Sequence, residues 1–166
     1  MYTGFISKLA DILEQERAIY QDILKMSKEK TNVIIEGRVS DLERIVSSEQ
    51  SLIVQLGKLE ELRENLISEI SSYLNIPPQD LKISDIIVHV DEEQAERLRI
   101  CKKGIEGTLN ELMNVNDLNS KLIKNSLEYI DFSINILSRL DTGINSYGST
   151  GHVNPSGKRN FLDIKL

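Results

Sequence analysis

Residues 5–35 read FISKLADILEQERAIYQDILKMSKEKTNVII, and apolar side chains recur along them with a period of seven. One heptad position holds Phe5, Ile12, Ile19, Met26 and Val33, and the next holds Ile6, Leu13, Tyr20 and Ile34, with Ser27 as the polar exception. Leu9 and Ile23 complete the stripe. A strict seven-residue repeat is typical of a helix that supercoils against a partner helix. The stretch therefore predicts a long α-helix packed on another helix.

The predicted partner helix follows after a short link. Gly37 is expected to end the first helix, and Ser40 with Glu43 three residues later has the pattern of a capping box. The second helix is predicted to run to about Leu74, with apolar residues again in heptad positions: Leu42, Ile45, Val46, Leu52, Ile53, Leu56, Leu59, Leu66, Ile67, Ile70, Tyr73 and Leu74. Two helices of similar length joined by a short link predict an antiparallel hairpin.

The connector after this hairpin has its own signals. Pro77 and Pro78 cannot continue the second helix, so it is expected to end before them. Ser84 is expected to cap a short helical turn. Asp91, with Gln94 three residues later, is expected to cap a third long helix.

The third helix is predicted over residues 92–140 and would reach roughly 70 Å if unbroken. That length exceeds its two partners, so the helix either extends past them or breaks. Gly104, Gly107 and the Asn-rich residues 110–119 are the candidate breaks.

The composition changes after Leu140. Gly143, Gly148, Gly151 and Gly157 lie among Ser, Asn, Thr and Pro, which predicts a flexible tail over residues 141–166 beside a helical bundle domain over residues 1–140. The last six residues, 161–166, are apolar again and either dock elsewhere or fray. The predicted fold class is all-α: a long antiparallel helical hairpin plus a third long helix, a coiled-coil-like bundle, with a flexible C-terminal tail.

The net charge, the cysteine content and the lengths of the apolar runs restrict the possible partners and the cellular compartment of the protein. The net charge is -6 and the basic residues are dispersed among acidic ones, which disfavours nucleic acid and anionic membrane surfaces as partners. Cys101 is the single cysteine, so no internal disulfide can form and a reducing compartment is favoured. No apolar run is long enough for membrane insertion, and the first residues do not resemble a signal peptide. A cytoplasmic protein is expected.

Catalysis is not expected from the titratable residues. His89 and His152 lack a second ligand at metal-binding spacing, so no metal site is predicted. A phosphotransfer bundle would require an exposed histidine within a helix. The acidic residues at 14, 16, 60, 61 and 91–93 are expected on solvated helix faces, and Cys101 is expected to be an inert helix residue. The chain is therefore interpreted as a binding protein and not an enzyme.

The end of the third helix has more apolar surface than packing on one face requires. In a helical projection of residues 122–140, polar side chains fall within roughly 100° and apolar ones span roughly 220°. Ser126 and Ser133 lie near the centre of the apolar arc, one heptad apart, where a second backbone can approach. The candidate partner-binding residues are Leu122, Ile123, Ser126, Leu127, Tyr129, Ile130, Ser133, Ile134 and Leu137.

Three interpretations of this arc remain open. The segment is a central helix buried between the first two, or it receives a partner's helix in a groove, or it is used for self-association. The third interpretation corresponds to a structural coiled coil that assembles as a homo-oligomer.

The sequence resembles the FlgN family of flagellar type III export chaperones along nearly its whole length. Glu36-Gly37 followed by Asp41-Leu42 resembles the family's first turn, and residues 74–81, LNIPPQDL, are similar to its connector LGLPPEEL. Residues 125–132, NSLEYIDF, resemble the most recognisable stretch. Tyr147-Gly148 with Gly151 is similar to the tail signature YGxxG, although Ser149-Thr150 replace the usual Pro/Ala-Asp pair.

The resemblance implies a function as well as a fold. The family binds the disordered C-terminal segments of the hook–filament junction proteins FlgK and FlgL, keeps them unassembled in the cytoplasm and delivers them to the export gate. It uses no cofactor and catalyses no reaction. By this resemblance, the apolar surface of residues 122–140 would hold the client's amphipathic helix, and Tyr147 would contact the export-gate protein FlhA.

Overall fold

The computed structural model describes the backbone of residues 2–144 and the side chains of residues 3–139. Four helices make up this part of the chain: α1 (Tyr2–Ile35), α2 (Val39–Leu74), α3 (Ile83–Ile87) and α4 (Glu92–Ile144). No strand occurs within these residues, and the predicted all-α class is confirmed. The chain divides into two compact units, Met1–Ser126 and Leu127–Leu166.

The turn between α1 and α2 depends on Gly37. This residue has φ +66°, a left-handed conformation that glycine adopts without steric cost. The amide of Gly37 donates to the carbonyl oxygen of Ile34 (3.1 Å), and that of Arg38 donates to the carbonyl oxygen of Val33 (3.0 Å). These two bonds form a Schellman motif, which closes α1 as the sequence predicts.

The start of α2 differs from the prediction. The helix begins at Val39, with Arg38 in the N-cap position and no side-chain capping bond, so the predicted cap at Ser40 is wrong. The Schellman turn leads directly into α2, because the carbonyl oxygen of Arg38 already accepts from the amide of Leu42 at 3.0 Å. Ser40 therefore lies inside the first turn.

Ion pairs and hydrogen bonds define the directions of the three long helices in the first unit. Glu16 of α1 pairs with Arg63 of α2 at 3.0 Å, and Lys30 pairs with Glu49 at 2.6 Å, so residue numbers run in opposite directions. The α1–α2 hairpin is antiparallel, as predicted. Between α1 and α4 the numbers rise together, from Glu14 with Arg97 to Thr31 with Asn119, so these two helices run parallel.

The apolar core of the first unit lies at the end closed by the connector. Helix α1 supplies Ile6, Leu9, Ala10 and Leu13, α2 supplies Ile70, the connector supplies Leu81 and Ile86, and α4 supplies Leu98 and Cys101. The heptad stripe of α1 thus predicts its buried face. The stripe predicted for α2 is wrong at three positions, because Val46, Ile53 and Tyr73 are exposed.

The connector closes the core with local capping bonds. Asn75 ends α2 with φ 58°, two residues before the tandem prolines. The predicted cap at Ser84 is wrong, because α3 begins one residue earlier and the carboxylate of Asp85 accepts from the amide of Lys82 at 2.9 Å. The predicted cap at Asp91 is confirmed: its carboxylate accepts from the amide of Gln94 at 2.9 Å.

A buried polar layer joins the three long helices further along the bundle. The hydroxyl of Ser27 donates to Glu49 at 2.9 Å, and the amide side chain of Asn119 donates to the carbonyl oxygen of Ser27 at 2.9 Å. Thr31 donates to the side-chain oxygen of Asn119 at 2.6 Å, and Lys30 pairs with Glu49. Each of these polar groups finds its partner within the layer, so a slip in register would leave buried groups unpaired.

Helix α4 runs without interruption from Glu92 to Ile144, so the candidate breaks at Gly104, Gly107 and residues 110–119 are wrong. Gly104 has a packing role instead, since a Cβ there would lie 2.6 Å from Nε of Arg17. The helix continues to Ile144, and the predicted flexibility of residues 145–166 lies outside the described residues and stays a prediction.

Leu98 provides a direct test of this core. The Leu98→Ala variant is expected to lose about 3 kcal/mol of unfolding free energy, because a fully buried side chain leaves a cavity. Leu118→Ala, on the same helix but 48% exposed, is the matched control and is expected to lose less than about 1 kcal/mol. Urea unfolding followed by circular dichroism measures both, and equal losses would contradict the placement of Leu98 in the core.

Candidate partner-binding surface

The described part of the second unit is a single helical segment with a large exposed apolar surface. We call residues 127–137 the α4 apolar segment. Its large apolar side chains are between 42% and 72% exposed: Leu127, Tyr129, Ile130, Phe132, Ile134, Ile136 and Leu137. Seven such side chains on three helical turns are unusual in a surface that stays in water, and clusters of this kind mark interaction sites.

The predicted site residues divide between the two units. Leu122, Ile123 and Ser126 lie at the end of the first unit, where Leu122 is half-buried and the other two are exposed. The other six lie together in the α4 apolar segment, and all but the partly buried Ser133 are exposed: Leu127, Tyr129, Ile130, Ser133, Ile134 and Leu137. Tyr147 lies outside the described residues.

The exposed fractions of Ile130 and Ile134 are 50% and 43%. A partner's helix or a second copy of the chain could cover such side chains. The remaining interpretation, in which residues 122–140 form a central helix between the first two, stays a prediction.

The two serines of the predicted arc are suited to close packing. The hydroxyl of Ser126 donates to the carbonyl oxygen of Leu122, and that of Ser133 donates to the carbonyl oxygen of Tyr129, both at 2.9 Å. Because their own helix satisfies these donors, covering the serines with an apolar partner leaves no hydroxyl proton unpaired. Each serine is thus a small gap in the apolar surface, in which a partner's side chain can lie.

The sequence pattern of one protein family, described as FlgN protein, matches residues 1–155. The chain belongs to the FlgN family. It is also 25% identical over 158 residues to "Uncharacterized protein YvyG" of Bacillus subtilis (strain 168), an alignment that covers 93% of this chain and 96% of the relative. No solved structure matches the chain significantly.

Membership of the FlgN family indicates a general role in flagellar protein export. The family consists of flagellar export chaperones and is not a known family of enzymes. Two of the motifs that resemble the family can be located in the structure, one in the core and one on the exposed apolar surface. The connector motif contributes the buried Leu81 to the core, and residues 127–132 of the motif NSLEYIDF begin the α4 apolar segment.

The first unit contains buried polar residues that sequence reasoning missed. Glu16 was expected on a solvated face, yet it is buried and its carboxylate accepts a hydrogen bond from Nε of Arg63 at 3.0 Å. Burial, followed by the charge of Glu16, raises the pKa of the neighbouring Tyr20. The heptad pattern could have indicated that Glu16 is buried, because Glu16 lies seven residues after Leu9 at a position of the apolar stripe. The arrangement is a structural ion pair.

Potential metal ligands do not cluster among the described residues. No cluster of three or more His, Cys, Asp or Glu residues capable of holding a metal occurs among them. His89 lies in the turn after α3, with Nδ1 2.8 Å from the carbonyl oxygen of Asp85, so it is not the mid-helix histidine that a phosphotransfer bundle requires. None of the helices in residues 2–144 is long and apolar enough to span a membrane.

Cys101 has the surroundings of an unreactive thiol. It is 1% exposed, and burial, followed by the charge of Glu14, raises its pKa. The thiolate is the reactive form, so both effects oppose reaction. The predicted inert character of Cys101 fits this environment.

Cys101 is therefore expected to react with N-ethylmaleimide at pH 8 at least roughly 100-fold more slowly in the folded protein than in urea, since reaction requires local opening. The matched control is Cys101→Ser with Met113→Cys, which moves the one thiol to a position on the same helix that is 70% exposed. Equal rates for folded wild type and control would contradict the burial of Cys101.

Proposed function

We propose that this FlgN-family protein binds the C-terminal segments of the hook-associated proteins FlgK and FlgL through its α4 apolar segment. Binding would keep the clients from assembling prematurely in the cytoplasm and would deliver them to the export gate. The observation that carries the proposal is the exposed apolar surface of Leu127, Ile130, Ile134 and Leu137 on one helix.

The spacing of these residues fits a helical client. Leu127, Ile130, Ile134 and Leu137 follow intervals of three and four residues, so they form one stripe along the helix. An amphipathic helix binds such a stripe with its own apolar face, and a disordered segment can fold as it binds. A client segment that is disordered when free and helical when bound therefore matches the surface.

The delivery step rests on the resemblance to the family alone. Tyr147 matches the tyrosine of the tail signature, and we propose that it contacts the gate protein FlhA. The cytoplasmic location agrees with a single, unpaired cysteine.

Self-assembly into a structural coiled coil is the second candidate. The same exposed stripe favours it, because two copies could cover each other's apolar residues. The two functions differ in what covers the apolar stripe. In a chaperone, a client peptide binds it at a fixed molar ratio. In a structural coiled coil, a second copy of the chain covers it as the protein concentration rises.

Isothermal titration with the C-terminal helical peptide of FlgK from the same organism tests the proposal. Wild type is expected to bind with micromolar or tighter affinity. Ile130→Asp and Ile134→Asp are each expected to weaken binding by at least roughly 30-fold, since a carboxylate would be buried unpaired against an apolar helix.

Ile100→Asp is the matched control, because Ile100 lies on the same helix and is 49% exposed, against 50% for Ile130. The control is expected to bind like wild type, and all three variants are expected to stay folded by circular dichroism. If a well-folded wild type binds neither FlgK nor FlgL peptides, the proposed function is wrong. Sedimentation over a range of concentrations then tests self-assembly.

A further inference from the structure

We propose that the last six residues of the chain, Phe161–Leu166, cover the α4 apolar segment when no client is bound. This C-terminal tip would act as an internal substitute for the client and would regulate access to the binding surface. The inference concerns regulation of the proposed client site, but the contact between tip and helix does not require that a client binds.

The exposed helix surface needs an occupant in the free protein. Seven large apolar side chains between residues 127 and 137 are at least 42% exposed. Covering such a surface is favourable by roughly 25 cal/mol for each Å² of apolar area removed from water. A monomer that leaves it open would be prone to nonspecific association.

The C-terminal tip has the chemistry to cover this surface. Four of its six residues are apolar, Phe161, Leu162, Ile164 and Leu166, whereas residues 145–160 hold three glycines and mostly small or polar side chains. Lys158 and Arg159 lie three and two residues before Phe161. They complement the exposed carboxylates of Glu128 and Asp131 on the α4 apolar segment.

The length of the intervening chain matches the distance to be spanned. Sixteen residues separate Ile144, the end of α4, from Phe161. A chain of this length with Gly- and Ser-rich composition has an expected end-to-end distance of about 20–24 Å. Ile130 lies 14 residues before Ile144, which is about 21 Å along a helix. Linkers whose average length equals the span give the highest effective concentration, on the order of millimolar.

This effective concentration favours the tip over a second copy of the chain. At micromolar protein concentration, an intramolecular segment is present at roughly a thousandfold higher local concentration than another molecule. A weak contact is then enough to occupy the helix, and a client with more apolar contacts can still displace it. The expected consequence is a three- to tenfold lower client affinity than the open helix would have.

Hydrogen exchange in the full-length protein tests the contact without any client. In the variant Phe161→Asp with Ile164→Asp, amides of residues 127–137 are expected to exchange about three- to tenfold faster than in wild type. The matched control is Thr150→Asp with Ser156→Asp, which adds the same two carboxylates to the same stretch but away from the tip. It is expected to exchange like wild type.

Equal exchange in the tip variant and wild type would overturn the proposal. A second outcome would also overturn it: protection of residues 127–137 from exchange that increases with protein concentration and is unchanged by the tip substitutions. The occupant of the helix would then be a second copy of the chain. Titration with the FlgK peptide separates this proposal from the proposed function. Tighter binding by the tip variant supports both. Faster exchange in the tip variant with no peptide binding by any form supports the tip contact and overturns the client assignment.

Discussion

Burial of the first part of α4 against the α1–α2 hairpin is the interaction on which the described structure depends. Leu98 and Cys101 enter a core formed by the heptad stripe of α1 and by Ile70. The connector contributes Leu81 and Ile86 to the same core, so the bundle is closed at that end by residues from every element. Further along, the polar layer around Ser27 and Asn119 fixes the register of the three helices, because its buried groups are satisfied only in one alignment.

The second unit contains the continuation of α4, in which the apolar side chains of residues 127–137 are exposed. Leu98 is buried in the first unit, whereas Ile130 and Ile134 of the same helix are 50% and 43% exposed. Exposed apolar surface adds nothing to the stability of the free chain, whereas an export chaperone needs an apolar surface on a stable helical platform.

The sequence predicted the helices well because their signals are local. Heptads, Gly37, the tandem prolines and Asp91 each act within a few residues, so the hairpin, the connector and the start of α4 were found to within about two residues. The caps at Ser40 and Ser84 were wrong because the preceding turn decided where each helix begins. The pairing of Glu16 with Arg63 and of Asn119 with Thr31 could not be predicted, because the partners are distant in sequence. The exposure of residues 127–137 could not be predicted from periodicity, which indicates an apolar face but not what covers it.

We propose that the α4 apolar segment is the surface that contacts the client. Site-specific photocrosslinking tests it most directly, with benzoylphenylalanine placed at Leu127 or at Ile53, two apolar residues that are each 57% exposed. We expect a crosslink to the C-terminal segment of FlgK from position 127 and little or none from position 53. Crosslinking that is equal at the two positions, or that occurs only at position 53, would contradict it.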